Sequence, residues 1–182
     1  MDDLILAKMA TRSQESRIMG LTSQLIRTKA PTKATAPIDS TEMLRIAEEL
    51  ASAKSRQDVA AAMRVYHPQG ILEAPPFVSR REGADDIRAS LERFFTLFPD
   101  YSVTLTQSAV SGETLIGWGE IKMTMTGRPG GQTPNGQRAC VPVFILFKFR
   151  DGLVFWESFN FDLASLCQQS GVTIDAFFPT KF

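Results

Sequence analysis

The chain has 182 residues, 43% of them hydrophobic, 9% aromatic and 22% charged, the composition of a globular protein long enough to bury one sizeable core. Lys and Arg together number 20, as do Asp and Glu, so no net field draws the protein to nucleic acid or to an anionic membrane. Two cysteines, a single histidine and no apolar run near the roughly 18 residues of a membrane span argue against a disulfide framework, a metal centre and a transmembrane protein.

Residues 1–38 carry six basic side chains against three acidic ones. Asp2 and Asp3 stand where a targeting peptide wants positive charge, so the expectation is a cytoplasmic protein with a loosely attached N-terminal segment. A weakly amphipathic helix fits residues 2–28, followed by the Pro/Ala/Thr/Lys linker Thr28 to Ile38. A single domain then spans 39–182. Asp39 caps a helix whose apolar members Met43, Ile46 and Leu50 recur at helical spacing, and Val59 with Met63 extends the pattern beyond a break over Lys54 to Asp58. A short strand from Gly70 to Ala74 ends at two prolines, and a second helix over Ala84 to Leu97 buries Ile87, Leu91, Phe94 and Phe95.

Everything after Pro99 reads as strand. Segments 101–107, 114–126, 139–149 and 153–161 each carry a mainly apolar set of residues at odd positions, so each presents one strongly apolar face. Asp151-Gly152 forms the last hairpin, and the loop Gly127 to Arg138 joins the two middle strands. A helix from Leu163 to Gln169, capped by Asp162, closes the chain. Helices first and a strand meander afterwards predict an α+β fold, a curved antiparallel sheet with helices on its concave face.

That odd face holds the candidate site. Gly117 and Gly119 leave a gap among apolar neighbours, which is either a ligand cavity or the room for a curled sheet and a close helix. Glu157 is the one carboxylate among the apolar residues of the last strand. Desolvation there raises its pKa and suits it to proton transfer, unless it reaches solvent or is neutralised by an Arg or Lys from a helix. Tyr101 offers a hydroxyl on the same face, or serves as a core residue. His67 before Pro68 suits a turn, and no nucleophile elbow or phosphate loop is present.

The stretches VYHPQGILEAPP (65–76), FPD (98–100), TGRPGGQTPNGQR (126–138), FRDG (149–152) and DLASLCQQSGV (162–172) occur in an order that resembles the SnoaL-like polyketide cyclase family, of the nuclear transport factor 2-like superfamily, over residues 42–172. The resemblance implies a cone-shaped fold, a homodimer, no cofactor, and acid–base chemistry on hydrophobic substrates. The known catalytic sets do not carry over. The family's aspartate falls at Phe159 and its histidine at Ile145; the tyrosine, base and second acid of the related ketosteroid isomerases fall at Leu50, Ala74 and Ile145; the arginine and aspartate of limonene epoxide hydrolases fall near Gly119 and Ile121, and their other aspartate at Phe159.

The leading expectation is therefore a cyclase, isomerase or lyase acting on a polyketide- or terpenoid-like molecule. Glu157 and Tyr101 are its catalytic candidates, and Leu50, Ala74, Phe95, Gly117, Gly119, Ile121, Ile145, Phe147 and Phe159 line its pocket. The alternatives are a non-catalytic carrier of a hydrophobic molecule or assembly subunit, and an interaction module whose pocket is filled by its own tail, residues 176–182.

Overall fold

A computed structural model describes residues 38–178, within the unit Pro37–Phe182. The helix expected over 2–28, its linker up to residue 37 and the last four residues of the tail lie outside the described residues. Helix α1 (Ser40–Ser55) starts where Asp39 accepts the Glu42 N–H at 2.8 Å, satisfying a donor that has no partner within the helix. It buries Met43, Ile46, Ala47, Leu50, Ala53 and Lys54 on one face. Lys54 thus continues an apolar stripe. Asp58 caps the short helix α2 (Val59–Val65) in the same way.

Strand β1 (Tyr66–Ala74) begins four residues earlier than the apolar pattern suggested, and turns through Pro75–Phe77 into β2 (Ser79–Glu82). The sequence of β2 is Ser-Arg-Arg-Glu, which gives no apolar alternation to read. Charged residues of this kind are what a sheet edge tolerates. Helix α3 (Ala84–Leu97) buries Ile87, Leu91 and Phe95 and leaves Phe94 half-buried. The remaining elements are β3 (Ser102–Ser111), β4 (Thr114–Thr124), β5 (Arg138–Arg150), β6 (Leu153–Phe161) and helix α4 (Leu163–Ser170).

Six strands form one open sheet in the order β2-β1-β6-β5-β4-β3. It is mixed and not wholly antiparallel as expected, because β1 runs parallel to β6. Helices α1 and α3 share one core with the inner face of this sheet, in an α+β architecture.

Alternation holds without a break along β5, where Ala139, Val141, Val143, Ile145, Phe147 and Phe149 are all buried. It fails at two bulges. Lys148 pairs with Trp156 and Phe149 with Val154, so Phe155 is an extra residue in β6. Val154 is consequently the buried residue, while Leu153 and Phe155 are only half-buried and leave the face that Glu157, Phe159 and Phe161 share. Phe155 instead meets the His67 ring edge-on at 5.6 Å and the Arg150 guanidinium at 3.4 Å. In β3 the register slips between Leu105 and Gln107, and Gln107 is exposed.

Candidate functional site: an apolar cavity with a buried ion pair in its wall

A cavity of about 190 Å³ lies between α3, the inner sheet face and the turn after β1. Leu91, Phe94 and Phe95 of α3 form one wall, and Leu72, Ala74 and Phe77 another; Phe177 reaches it from the C-terminal turn Ile174–Phe177. Tyr101 and Phe159 complete the interior. Phe94 stands edge-on to Tyr101 at 5.1 Å and 79°, and Phe159 to Tyr101 at 6.2 Å and 74°. Edge-to-face packing of this kind holds the rings in place as a fixed part of the wall. Ser79, Ser90 and Arg93 also line the cavity, Arg93 being exposed.

One charged side chain stands in this wall from deep inside the domain. Lys54 is 7% exposed, and its Nζ donates to both oxygens of the fully buried Glu157, at 2.6 and 2.7 Å. The Tyr66 hydroxyl donates to Oε2 of the same carboxylate. Glu157 therefore accepts three hydrogen bonds, which is what an ionised carboxylate without access to water requires. The Lys54 ammonium also lies 5.6 Å from the centre of the Tyr66 ring, within cation–π range.

Both tyrosines are held firmly protonated. Burial pushes the Tyr66 hydroxyl well above the ordinary phenol range, and the negative charge of Glu157 and the hydrogen bond to it add to this. Tyr101 is raised by the same two causes, burial first and Glu157 second. Its hydroxyl, unlike that of Tyr66, has no hydrogen-bond partner among the described residues. Lys54 has three donors, and two of them are spent on Glu157. Lys54 and Tyr101 thus bring donor groups to a cavity that the Ser79 and Ser90 hydroxyls and Arg93 also line.

The residues expected from sequence divide into three sets. Ala74, Phe95, Tyr101 and Phe159 line the cavity. Leu50, Ile121, Ile145 and Phe147 are buried elsewhere in the core. Gly117 and Gly119 do not border the cavity, because strand β3 fills the space beside them. A Cβ on Gly119 would stand 1.9 Å from the Thr104 carbonyl oxygen, and one on Gly117 would meet the Leu105 Cδ1 at 2.9 Å. The gap seen in the sequence is thus the close approach that the β3 bulge needs.

Glu157 sits behind Lys54 and not in the wall itself. Of the three environments the sequence left open for it, the structure shows the one in which a helix lysine meets the carboxylate. Lys54, Tyr66, Phe77, Phe94 and Arg93 were not anticipated. The signal for Lys54 was its place four residues after Leu50 on the buried stripe of α1. Among the described residues, no cluster of His, Cys, Asp and Glu is arranged to hold a metal ion, and no helix is long and apolar enough to cross a membrane.

Residues 47–156 match the SnoaL-like domain family. Several solved structures share the fold. A SnoaL-like polyketide cyclase from Jannaschia sp. CCS1 is 20% identical with a TM-score of 0.64, covering 71% of this chain and 92% of its own. TsrD from Streptomyces laurentii is 23% identical with a TM-score of 0.63, covering 74% and 98%. A protein of ketosteroid isomerase-like fold from Catenulispora acidiphila, solved in complex with trimethylamine, is 18% identical with a TM-score of 0.63, covering 71% and 95%. No curated protein matches the sequence at a significant level.

Proposed function

For this chain, which belongs to the SnoaL-like domain family, we propose a small-molecule site in which an apolar organic guest is held in the cavity and polarised by Lys54 and Tyr101. The observation that carries this reading is the buried ammonium in the wall of a pocket lined mainly by aromatic and aliphatic side chains. A buried charge is costly, and this one could be replaced by hydrophobic residues with little loss of stability; a role at the cavity gives it a reason to be there.

The chemistry that follows is proton transfer without a cofactor. A guest carbonyl oxygen that accepts from Lys54 Nζ and Tyr101 Oη has its carbon made electrophilic and its α-protons acidic, as cyclisation, isomerisation or dehydration requires. Glu157 and Tyr66 are positioning residues: they compensate the charge of Lys54 and fix the direction of its remaining N–H. Non-catalytic binding is the second reading, and one observation favours it. The cavity wall contains no Asp, Glu or His among the described residues to remove a carbon-bound proton.

A panel of keto compounds incubated with the protein separates the two readings. Isomerisation or cyclisation that falls on Tyr101→Phe supports catalysis; saturable binding with no conversion supports a carrier; absence of any binding refutes both. The outer sheet face, with Phe144 53% exposed beside its cross-strand partner Trp118, supports docking of a second copy of the chain.

A further inference from the structure

We infer that the guest is a compact, single-ring compound carrying a hydrogen-bond-accepting oxygen, a ketone or its enolate, and not a multi-ring polyketide. The inference rests on the small-molecule reading above and narrows it by size and by polarity.

Size follows from the volume. An apolar cavity of about 150 Å³ holds one benzene molecule, so about 190 Å³ holds a ring with a short substituent, roughly eight to ten non-hydrogen atoms. Three fused rings exceed the enclosed space and would protrude past its mouth, where Arg93 is exposed. The walls that would have to yield are interlocked: Phe94 packs against Phe98 at 5.0 Å, and Phe77 against Phe161 at 5.3 Å.

Polarity follows from what the interior still offers. Lys54 can only donate. Both Glu157 oxygens are engaged and the residue has no exposed surface, so it presents no free acceptor to a guest. The Tyr101 hydroxyl, held protonated, donates once an acceptor arrives. An acceptor on the guest is therefore matched by the donors of Lys54 and Tyr101 on the buried side of the cavity, while the part-exposed Ser79 and Ser90 hydroxyls can donate or accept. A guest without an acceptor offers Lys54 and Tyr101 no partner, and sites built to hydrogen-bond a group discriminate against analogues lacking it.

Isothermal titration calorimetry with three probes tests this: acetophenone, ethylbenzene (the same shape without the oxygen) and 9-acetylanthracene (the same acceptor on three rings). The full chain is titrated as wild type, as Tyr101→Phe, and as the doubly apolar Lys54→Met/Glu157→Met, which removes the pair without leaving a lone buried charge. The expected result is binding of acetophenone and no binding of 9-acetylanthracene. Tyr101→Phe should weaken acetophenone about tenfold and leave ethylbenzene unchanged, and the double variant should also lose the preference.

Equal affinity for acetophenone and ethylbenzene in all three proteins overturns the acceptor inference while leaving a small-molecule cavity standing. Binding of 9-acetylanthracene overturns the size limit. Failure of every probe to bind removes the underlying reading as well.

Discussion

Replacing Lys54 with Met isolates the energetics of the pair. The substitution keeps an unbranched chain of similar length, so packing along α1 changes little, but Glu157 loses both Lys54 hydrogen bonds and keeps only the one from Tyr66. A carboxylate with no exposed surface is then left without a counter-ion. Breaking a buried pair from one side costs about 3–5 kcal/mol, a large part of the 5–15 kcal/mol that stabilises a typical domain. For a domain of this size each kcal/mol lowers the melting temperature by about 2–4 °C, so Lys54→Met should melt roughly 10–15 °C below wild type. Glu157→Met should fall by a similar amount. The double variant should recover to within about 2 kcal/mol of wild type, since two thioether chains fill the space without any charge. Urea and thermal unfolding followed by circular dichroism on all four proteins gives the cycle. A Lys54→Met cost below about 1 kcal/mol would refute the reasoning, because it would mean that water reaches Glu157; so would a double variant as unstable as the sum of the singles.

The two strand glycines should respond very unequally. Gly119→Ala drives a Cβ into the Thr104 backbone and should cost more than about 2 kcal/mol, whereas Gly117→Ala meets only the tip of Leu105 and should cost under about 1 kcal/mol in the same unfolding assay. Burial opposes ionisation of Asp100, but hydrogen bonds from the Thr124 N–H and hydroxyl and the charge of Arg138 outweigh it and hold the carboxyl below the usual range. A depressed value adds stability above the unfolded carboxylate pKa of about 3.9, and that stability is lost as pH falls through the folded value. Asp100→Asn should therefore be about 1 kcal/mol less stable than wild type at pH 7, after discounting for its exposure, with the difference fading below about pH 4. Phe144→Glu should convert a dimer to a monomer in light scattering coupled to gel filtration; a wild-type protein that already runs as a monomer would remove the proposed interface.

The sequence carries the fold where local pattern and tertiary context agree. In β4 and β5 the inner residues Leu115, Ile121, Met123 and Ala139 to Phe149 follow a strict alternation, and their burial was readable in advance. The bulges at Thr106 and Phe155 were not, because an inserted residue leaves composition unchanged and is defined only by what the neighbouring strand pairs with. Strand β2 was missed for a related reason, since its pairing to β1 gives structure to a segment with no apolar face of its own. At the site, Glu157 stood out as a charge in an apolar context, yet its partner lies on α1. Lys54 on a helix is ordinary unless its turn position is counted against Met43, Ile46, Ala47 and Leu50.

The carboxylate at Glu157 is joined to Lys54 across 103 residues of sequence and to Tyr66 across 91. Contacts that span most of a domain form late and slowly, since the intervening chain must first be brought to order. Helix α1 thus emerges during synthesis with its amine bathed in water, and that amine can be withdrawn from solvent only once β6 has been laid down. Closure of the chain and completion of the chamber are one event, so any fragment ending before β6 would be left with a sheet broken between β1 and β5 and with an unanswered charge.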